Sequence, residues 1–429
     1  MNKHLTGLFL LMFALDAAAN RLIIHAGELL ATPGSPPSLT QTVIVDDNRI
    51  TGIVDGFQKP GEGDTLLDLR EQFVLPGLMD MHVHLLLELD AGLVARRLRE
   101  SRTLNAMRGV ANAQKTLQAG FTTVRDLGGD PESIYALRDA IEMKLVSGPR
   151  VFAAGSALAA TGGHGDVDGV RPELMKMWTP STICDGAVDC RRATREAIKF
   201  GADLIKITAT GGVLSDAATG LGVQMTDAEL SEIVQTAHSL GRKVAAHAHG
   251  TDGINAALRA GVDTIDHGTF LDQASIKLFK RNGAHFVPTL MPGHVITRNM
   301  DQNPYFTEAI KAKATAAANN ARESLRLAYS KGVNIAFGTD SGVTPHGENA
   351  QELVLMVEVG MSPMDVLKSA TVTNAALLEL NEDLGTIEAG KLADIIAVTG
   401  SPLEDIRVMQ SIHTVIADGK VVRHLQLAH

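Results

Sequence analysis

The chain has 429 residues, 45% of them hydrophobic, and a formal net charge of −10. This length exceeds one ordinary domain and suits an α/β barrel of roughly 250 residues with an appendage. The acidic balance, without a basic block or basic residues interleaved with aromatic ones, excludes nucleic acid as an expected partner.

The first residues, 1–19, have the layout of a secretory signal peptide. A basic start at Lys3 precedes an apolar run from Gly7 to Leu15, and small residues follow at Ala17–Ala19. The run is too short to span a bilayer. We therefore predict export to the periplasm or the exterior; a frayed, mildly apolar N terminus is the alternative. No later stretch is apolar enough for a membrane helix, and no membrane partner is expected.

Both ends of the remaining chain are rich in predicted strands. Short alternating stretches and turn signals recur after residue 20 and again near the C terminus, where Asp418-Gly419 marks a hairpin. The predicted strands are Arg21–Ile24, Thr42–Val45, Ile50–Val54, Ala393–Val398, Val415–Ala417 and Val421–Val422. We predict that segments 20–73 and 386–429 fold together into one small β-sandwich.

The middle of the chain, 74–385, repeats one pattern of helix, glycine and apolar strand. A glycine at a helix end shortly before a strand is typical of αβ loops. The seven glycines are Gly120, Gly148, Gly201, Gly241, Gly261, Gly283 and Gly332. With the strand that ends at His82, the pattern predicts eight strands alternating with helices. The predicted fold class is α/β, a (β/α)8 TIM-like barrel.

Two cysteines, Cys184 and Cys190, lie close together in a loop-like stretch of this middle region. Export would permit a disulfide between them, and two free thiols are the alternative. Both states are compatible with the sequence.

Metal-binding and titratable side chains recur where the predicted barrel strands end, which is where such barrels place their catalytic groups. His82 and His84 lie two residues apart on a strand and therefore share a face, a spacing that can hold one metal ion. The full set is His82, His84, Lys206, His247, His249, His267 and Asp340. Their convergence on one rim predicts a functional site.

This pattern resembles the binuclear branch of the amidohydrolase superfamily. The segments LPGLMDMHVHL and GTIEAGKLADIIAV are also similar to that superfamily. The resemblance implies two divalent metal ions, with zinc expected and manganese or cobalt compatible. It implies that His82, His84 and Asp340 bind the more buried ion, that His247 and His267 bind the second, and that Lys206 bridges both after carboxylation by CO2.

The chemistry accounts for a lysine in this position. A free ammonium has no acceptor lone pair and would be repelled by two dications, whereas a carbamate is an anion with two oxygens. A water between the metals would ionise near neutral pH, and Asp340 could take its proton and pass it to the leaving nitrogen.

Two further histidines are expected to contact the substrate. The loop Ala160–Gly165 reads ATGGHG and is similar to a subgroup of Xaa-Pro dipeptidases, Xaa-Arg/Lys carboxypeptidases and ochratoxin-type amidases. That resemblance implies that His164 helps to hold the substrate carbonyl; a mobile, solvent-facing histidine is the alternative. His249 is assigned to the substrate and His247 to the metal, and the reverse assignment stays open.

We therefore predict a metal-dependent hydrolase of amide bonds in dipeptides or N-acyl amino acids. Alternatives on the same fold are a cyclic-amide hydrolase of the imidazolonepropionase type and a lactone or phosphotriester hydrolase; a non-catalytic scaffold belongs to another class. The analogy also implies a homo-oligomer. A cation for the substrate carboxylate is not identified, because Arg125 at a strand end is equally suited to an ion pair with Asp126 or a neighbouring carboxylate.

Overall fold

The computed structural model describes residues 21–167, 171–213, 220–299 and 308–425. The predicted leader, 1–19, lies outside these residues, so export stays a prediction. The homo-oligomer also stays a prediction, because the structure contains one chain. Among the described residues, no helix combines the length and apolar character needed to cross a bilayer.

The chain begins with four strands of a small β-domain and then enters the barrel. The first four strands are β1 Leu22–Leu29, β2 Ser38–Asp46, β3 Arg49–Asp55 and β4 Thr65–Pro76. The barrel strands are β5 Leu78–Val83, β6 Phe121–Asp126, β7 Arg150–Ala153, β8 Ile205–Thr208, β9 Val244–Ala248, β10 Thr264–His267, β11 His285–Val287 and β12 Asn334–Ile335. Most barrel strands are buried along their whole length, because helices cover the outside and side chains fill the interior.

Helices alternate with the barrel strands. They are α1 Leu93–Arg99, α2 Arg102–Gln118, α3 Pro131–Glu142, α4 Pro172–Trp178, α5 Ala187–Phe200, α6 Asp227–Ser239, α7 Thr251–Ala260, α8 Gln273–Asn282, α9 Met291–Asn299, α10 Glu308–Ser330, α11 Gln351–Val359, α12 Pro363–Lys368 and α13 Asn374–Leu377. A π-helical turn, Ser369–Thr373, joins α12 to α13. Left-handed glycines end α5, α7 and α8, at Gly201, Gly261 and Gly283, as the punctuation of the sequence predicts.

The last strands complete the β-domain. They are β13 Ile395–Val398, β14 Ile412–Ala417 and β15 Lys420–His424. Hydrogen bonds join the strands of both chain ends in the order β15-β14-β13-β4-β1-β2-β3. The predicted hairpin is present, and positive φ values of 49° at Asp418 and 75° at Gly419 form its turn. The expected fold class is confirmed: an α/β barrel beside a small β-sandwich domain from both ends.

Backbone contacts close the barrel where regular pairing is short. The parallel strands form two groups, β5-β6-β7 and β12-β11-β10-β9-β8. Leu158 bridges to Ile207 on one side of the gap, and Val83 bridges to Ser341 on the other. The amide of Asp340 also donates to the carbonyl of His82 at 2.7 Å. The eighth strand is shorter than its apolar run, and closure places Asp340 directly beside the HxH pair.

The two cysteines form a disulfide between the loop after β7 and helix α5. Both cysteines are buried. The amide of Thr161 and its hydroxyl bond to Asp185, the residue after Cys184, at 3.1 and 2.6 Å. The disulfide therefore lies at the base of the loop that carries His164.

Candidate metal centre

The strand ends bring the predicted side chains together at one rim of the barrel. Among the described residues, the side chains form two clusters, and within each cluster the ligand atoms all lie within 4.8 Å of one another. The first cluster contains His82, His84 and Asp340, and the second contains His247, His249 and His267. The rings of His82 and His267 are 4.9 Å apart, so the clusters adjoin.

The first cluster is oriented by backbone carbonyls and by the short closure of the barrel. Nδ1 of His84 donates to the carbonyl of Gly128 at 3.0 Å, which leaves Nε2 directed at Asp340 Oδ1, 3.2 Å away. His82 Nε2 lies 3.4 Å from the same oxygen. A histidine whose outer nitrogen is held by a carbonyl presents the other nitrogen in the form that binds a metal.

Asp80 links the strand of the HxH pair to the strand of Asp340. Oδ1 accepts the amides of His82 and Thr339 at 3.0 and 3.1 Å. Oδ2 accepts the Thr339 hydroxyl at 2.6 Å and the Asn349 amide at 2.8 Å. Complete burial raises the pKa of Asp80 to about 6 against the opposing effect of these hydrogen bonds. Asp80 thus positions both halves of the first cluster.

We expect Asp80→Ala to lower the free energy of unfolding by about 2–4 kcal/mol, because four buried donors lose their acceptor. Asp80→Asn should cost less, since the amide oxygen keeps part of the acceptor set. Denaturant unfolding measures both changes. Asp227→Ala, whose side chain is 75% exposed, is the matched control and should be nearly neutral. A loss for Asp80→Ala no larger than that of the control would contradict the role.

Threonines hold two histidines of the second cluster. Nδ1 of His267 lies 2.7 Å from the Thr289 hydroxyl, and Nδ1 of His249 lies 2.7 Å from the Thr269 hydroxyl. The ring of His247 is 4.6 Å from that of His267 and 4.7 Å from that of His249. His247 of β9 and His249, which follows the end of β9, therefore enter one cluster, and the assignment of His247 to the metal and His249 to the substrate stays a prediction.

Lys206 reaches the interior beneath these clusters. Its Nζ lies 2.9 Å from Asp266 Oδ2, and Asp266 lies 3.7 Å from His82 Nδ1. Arg125 is buried and pairs with Asp266 at 3.1 Å, while its Nε donates to the carbonyl of Met81. Of the two alternatives for Arg125, the ion pair with a neighbouring carboxylate is the one observed.

Left-handed backbone occurs at three non-glycine residues of the site. The φ angles are 69° at His267, 60° at Asp340 and 44° at Thr289. Such conformations cost of order 1–3 kcal/mol each and persist only where the surroundings impose them. Here they turn the side chains inward at the strand ends.

His164 lies against the second cluster. Its ring centroid is 4.4 Å from that of His247, and its amide donates to Gln224 Oε1 at 2.8 Å. The ring packs on Gly212, where a Cβ atom would have no room. His164 is therefore packed against the second cluster, and its contact with the substrate stays a prediction.

The donor set fits divalent metal ions. His82 Nδ1, His164 Nδ1 and Asp340 Oδ1 are buried and have no hydrogen-bond partner among the described residues. Burial, with nearby positive charges, holds the pKa values of His82, His247 and His267 well below the usual range. Neutral imidazoles and a carboxylate are ligands of zinc-like metals.

Sequence patterns did not indicate the residues that orient the candidate ligands. Asp80 lies two residues before His82 and shares its strand face, so strand alternation could have indicated it. Asp266 precedes His267 directly and carried no such signal. Thr269, Thr289 and the Gly128 carbonyl act through contacts between different strands, which spacing along the chain does not show.

A closed (β/α)8 barrel with two adjoining clusters of metal-binding side chains at the ends of its strands defines an enzyme of the α/β-barrel class. Residues 73–422 match the Amidohydrolase family model. The chain belongs to the amidohydrolase family and is an amide-bond hydrolase, which confirms the predicted family and enzyme class.

Individual relatives agree with the predicted subgroup. Ochratoxinase from Aspergillus niger is 32% identical over 425 residues, covering 93% of this chain and 85% of the relative. The structure of a Xaa-Pro dipeptidase with methionine bound in its active site is 40% identical, with a TM-score of 0.89 over 94% of this chain and 100% of that one. A prolidase complexed with N-methylphosphonate-L-proline is 32% identical, with a TM-score of 0.86 and coverage of 94% and 100%.

Proposed function

We propose that this enzyme hydrolyses the amide bond that joins an acyl group to a C-terminal amino acid, in dipeptides or N-acyl amino acids. One observation carries the proposal: the two clusters of candidate ligands adjoin above Lys206, and His164 packs against the second cluster. Relatives named as dipeptidase, prolidase and ochratoxinase support this substrate class.

Two divalent metal ions, when bound, would activate water and polarise the scissile carbonyl. His82, His84 and Asp340 would hold one ion, and His247 and His267 the other. The threonines on His249 and His267 and the carbonyl on His84 fix the ring orientations before substrate arrives. Zinc is the expected ion because imidazole dominates the donor set.

Lys206 would bridge the clusters as a carbamate. Burial lowers the pKa of Lys206, although the attraction of Asp266 opposes this effect. The lowered pKa increases the fraction of neutral amine. The neutral amine attacks the carbon of CO2. A C–N bond forms, one C=O π bond opens, and an N–H proton passes to solvent, so the product is a carbamate anion with two oxygens. These oxygens supply the acceptors that an ammonium lacks.

Asp340 moves the proton. Its Oδ1 is buried without a hydrogen-bond partner among the described residues and lies between the rings of His82 and His84. Oδ1 accepts a proton from the attacking water and then delivers it to the leaving nitrogen, so that the amino acid departs as a neutral amine.

His164 donates a hydrogen bond to the carbonyl oxygen as negative charge develops there. Burial lowers its pKa to about 4, so the imidazole is neutral at neutral pH and keeps one N–H donor. We expect His164→Asn to reduce kcat roughly 100-fold, with a smaller change in KM, because the bond strengthens in the transition state. Steady-state kinetics measures both constants.

The control for this variant is His238→Gln. His238 is a half-exposed residue of the outer helix α6, and its side chain pairs with Asp263. It should leave kcat unchanged. A His164→Asn enzyme with wild-type kcat, at unchanged metal content, would show that the loop histidine does not contact the reacting group.

The substrate class is tested with a panel of N-acetyl amino acids and dipeptides that differ in the C-terminal residue, alongside lactones, phosphotriesters and cyclic amides. We expect turnover of the linear amides and release of the free C-terminal amino acid. Turnover restricted to esters or cyclic amides would overturn the proposed substrate class while leaving the metal chemistry intact.

A further inference from the structure

The first turns of α10 pack on loops at the mouth of the barrel. Ile296 of α9 and Ile310 and Ala314 of α10 form a buried apolar cluster. Three residues from other loops pack against it, namely Leu89, Val213 and Val343. These loops follow barrel strands one, four and eight. The start of α10 is thereby held at the same end of the barrel as the candidate metal centre.

Lys313 lies on this part of α10, between Ile310 and Ala314. Its Nζ donates to the carbonyl of Gly212 at 3.3 Å, in a partly buried contact. Gly212 is the residue on which the His164 ring packs so tightly that a Cβ atom would not fit. Two successive contacts thus place the ammonium of Lys313 beside the histidine assigned to the scissile carbonyl.

The contact of Lys313 with the Gly212 carbonyl places its charge on the loop that follows β8, next to the ring of His164. Arg125, the cation considered from the sequence, lies beneath the site and is committed to Asp266. Lys313 approaches from the mouth, where a substrate enters.

We propose that Lys313 binds the carboxylate of the amino acid that leaves in the reaction. This inference rests on the proposed function, because a C-terminal substrate always carries a carboxylate two bonds from the scissile nitrogen. A lysine beside the carbonyl-binding histidine supplies the opposite charge at that short range. An ammonium on a flexible stem has three N–H donors, so it can bond a carboxylate in addition to the Gly212 carbonyl without moving the helix.

The test compares each N-acetyl amino acid with its C-terminal carboxamide, which keeps the shape and removes the charge. N-acetyl derivatives of proline, methionine and phenylalanine are the probes. For Lys313→Met we expect kcat/KM for the acids to fall roughly 10- to 150-fold, as for the loss of one charge-assisted hydrogen bond. The carboxamides should change less than about 3-fold, so that the preference for acids is lost.

Lys311→Met is the matched control, since Lys311 lies on the same helix and pairs with Glu308 at 3.0 Å. It should retain the preference for acids. Lys313→Arg should retain most of it, because the charge is kept. The free amino acids serve as a binding probe, and their inhibition constants should rise by a similar factor in Lys313→Met alone.

The source of the carboxylate is resolved with N-acetylglutamate, N-acetylglutamine and their α-carboxamides. A fall in kcat/KM of Lys313→Met for every compound with a free α-carboxylate supports the proposal. A fall confined to compounds with an acidic side chain overturns it. Equal loss on acids and carboxamides, or no loss on either, also overturns it. If the wild-type enzyme hydrolyses none of these compounds, the proposed function fails instead, so the two failures are distinguishable.

Discussion

Removal of divalent metal is expected to abolish amide hydrolysis, with a loss of roughly a thousand-fold or more. The physical reason is the donor set: neutral imidazoles and Asp340 surround a space in which buried polar atoms lack hydrogen-bond partners among the described residues. Without cations, the pKa of the attacking water is not lowered, so hydroxide is scarce at neutral pH. Dialysis against a chelator, followed by elemental analysis and activity assay, measures the effect.

Readdition of zinc, manganese or cobalt should restore activity to the chelated enzyme, to extents that identify the preferred ion. Unfolding temperature should also rise when metal is added, since ligands that bind only the folded state stabilise it. The control is the buffer-treated enzyme without chelator. Full turnover by protein that contains only traces of metal would refute a metal mechanism.

Replacement of Lys206 by alanine is the second large effect. We expect kcat to fall roughly a thousand-fold or more, because the clusters lose the anion that would bridge them. Asp266 keeps its partner Arg125, so the interior carboxylate is not left unpaired. Acetate or propionate should enter the vacated space, supply two carboxylate oxygens and restore part of the activity.

The rescue separates a bridging role from a structural one. Lys277→Ala, at an exposed lysine on α8, is the control and should behave as wild type with and without added acid. Unfolding measurements on Lys206→Ala establish that the barrel is intact. Full activity of Lys206→Ala in buffer free of small acids would remove the carbamate from the mechanism.

Much of the fold could be predicted because it depends on local patterns. Glycines at helix ends and buried apolar runs recur at the spacing of βα units, and each marks one strand of the barrel. The sequence predicted that the two chain ends fold together. It did not predict the strand order, in which β13 lies beside β4. Such pairing joins residues over 300 positions apart, and no periodicity along the chain reports it.

Convergence of the candidate ligands could be predicted for a related reason: parallel strands in a barrel all end at one rim, so residues at strand ends must lie near one another there. The residues that orient these side chains could not be predicted. Asp80, Thr269 and Thr289 act on ligands from neighbouring strands or loops, and Lys313 reaches the site from a helix far along the chain. These contacts depend on how the elements pack.

By itself, the sequence determined the barrel, its β-rich companion and the candidate metal-binding side chains at the strand ends, because strand alternation and helix punctuation are local. Only the tertiary structure decided that Arg125 is committed to Asp266, that Cys184 and Cys190 are joined, and that a lysine of α10 lies beside His164. Those outcomes depend on distances between residues remote in the chain, and packing alone sets such distances.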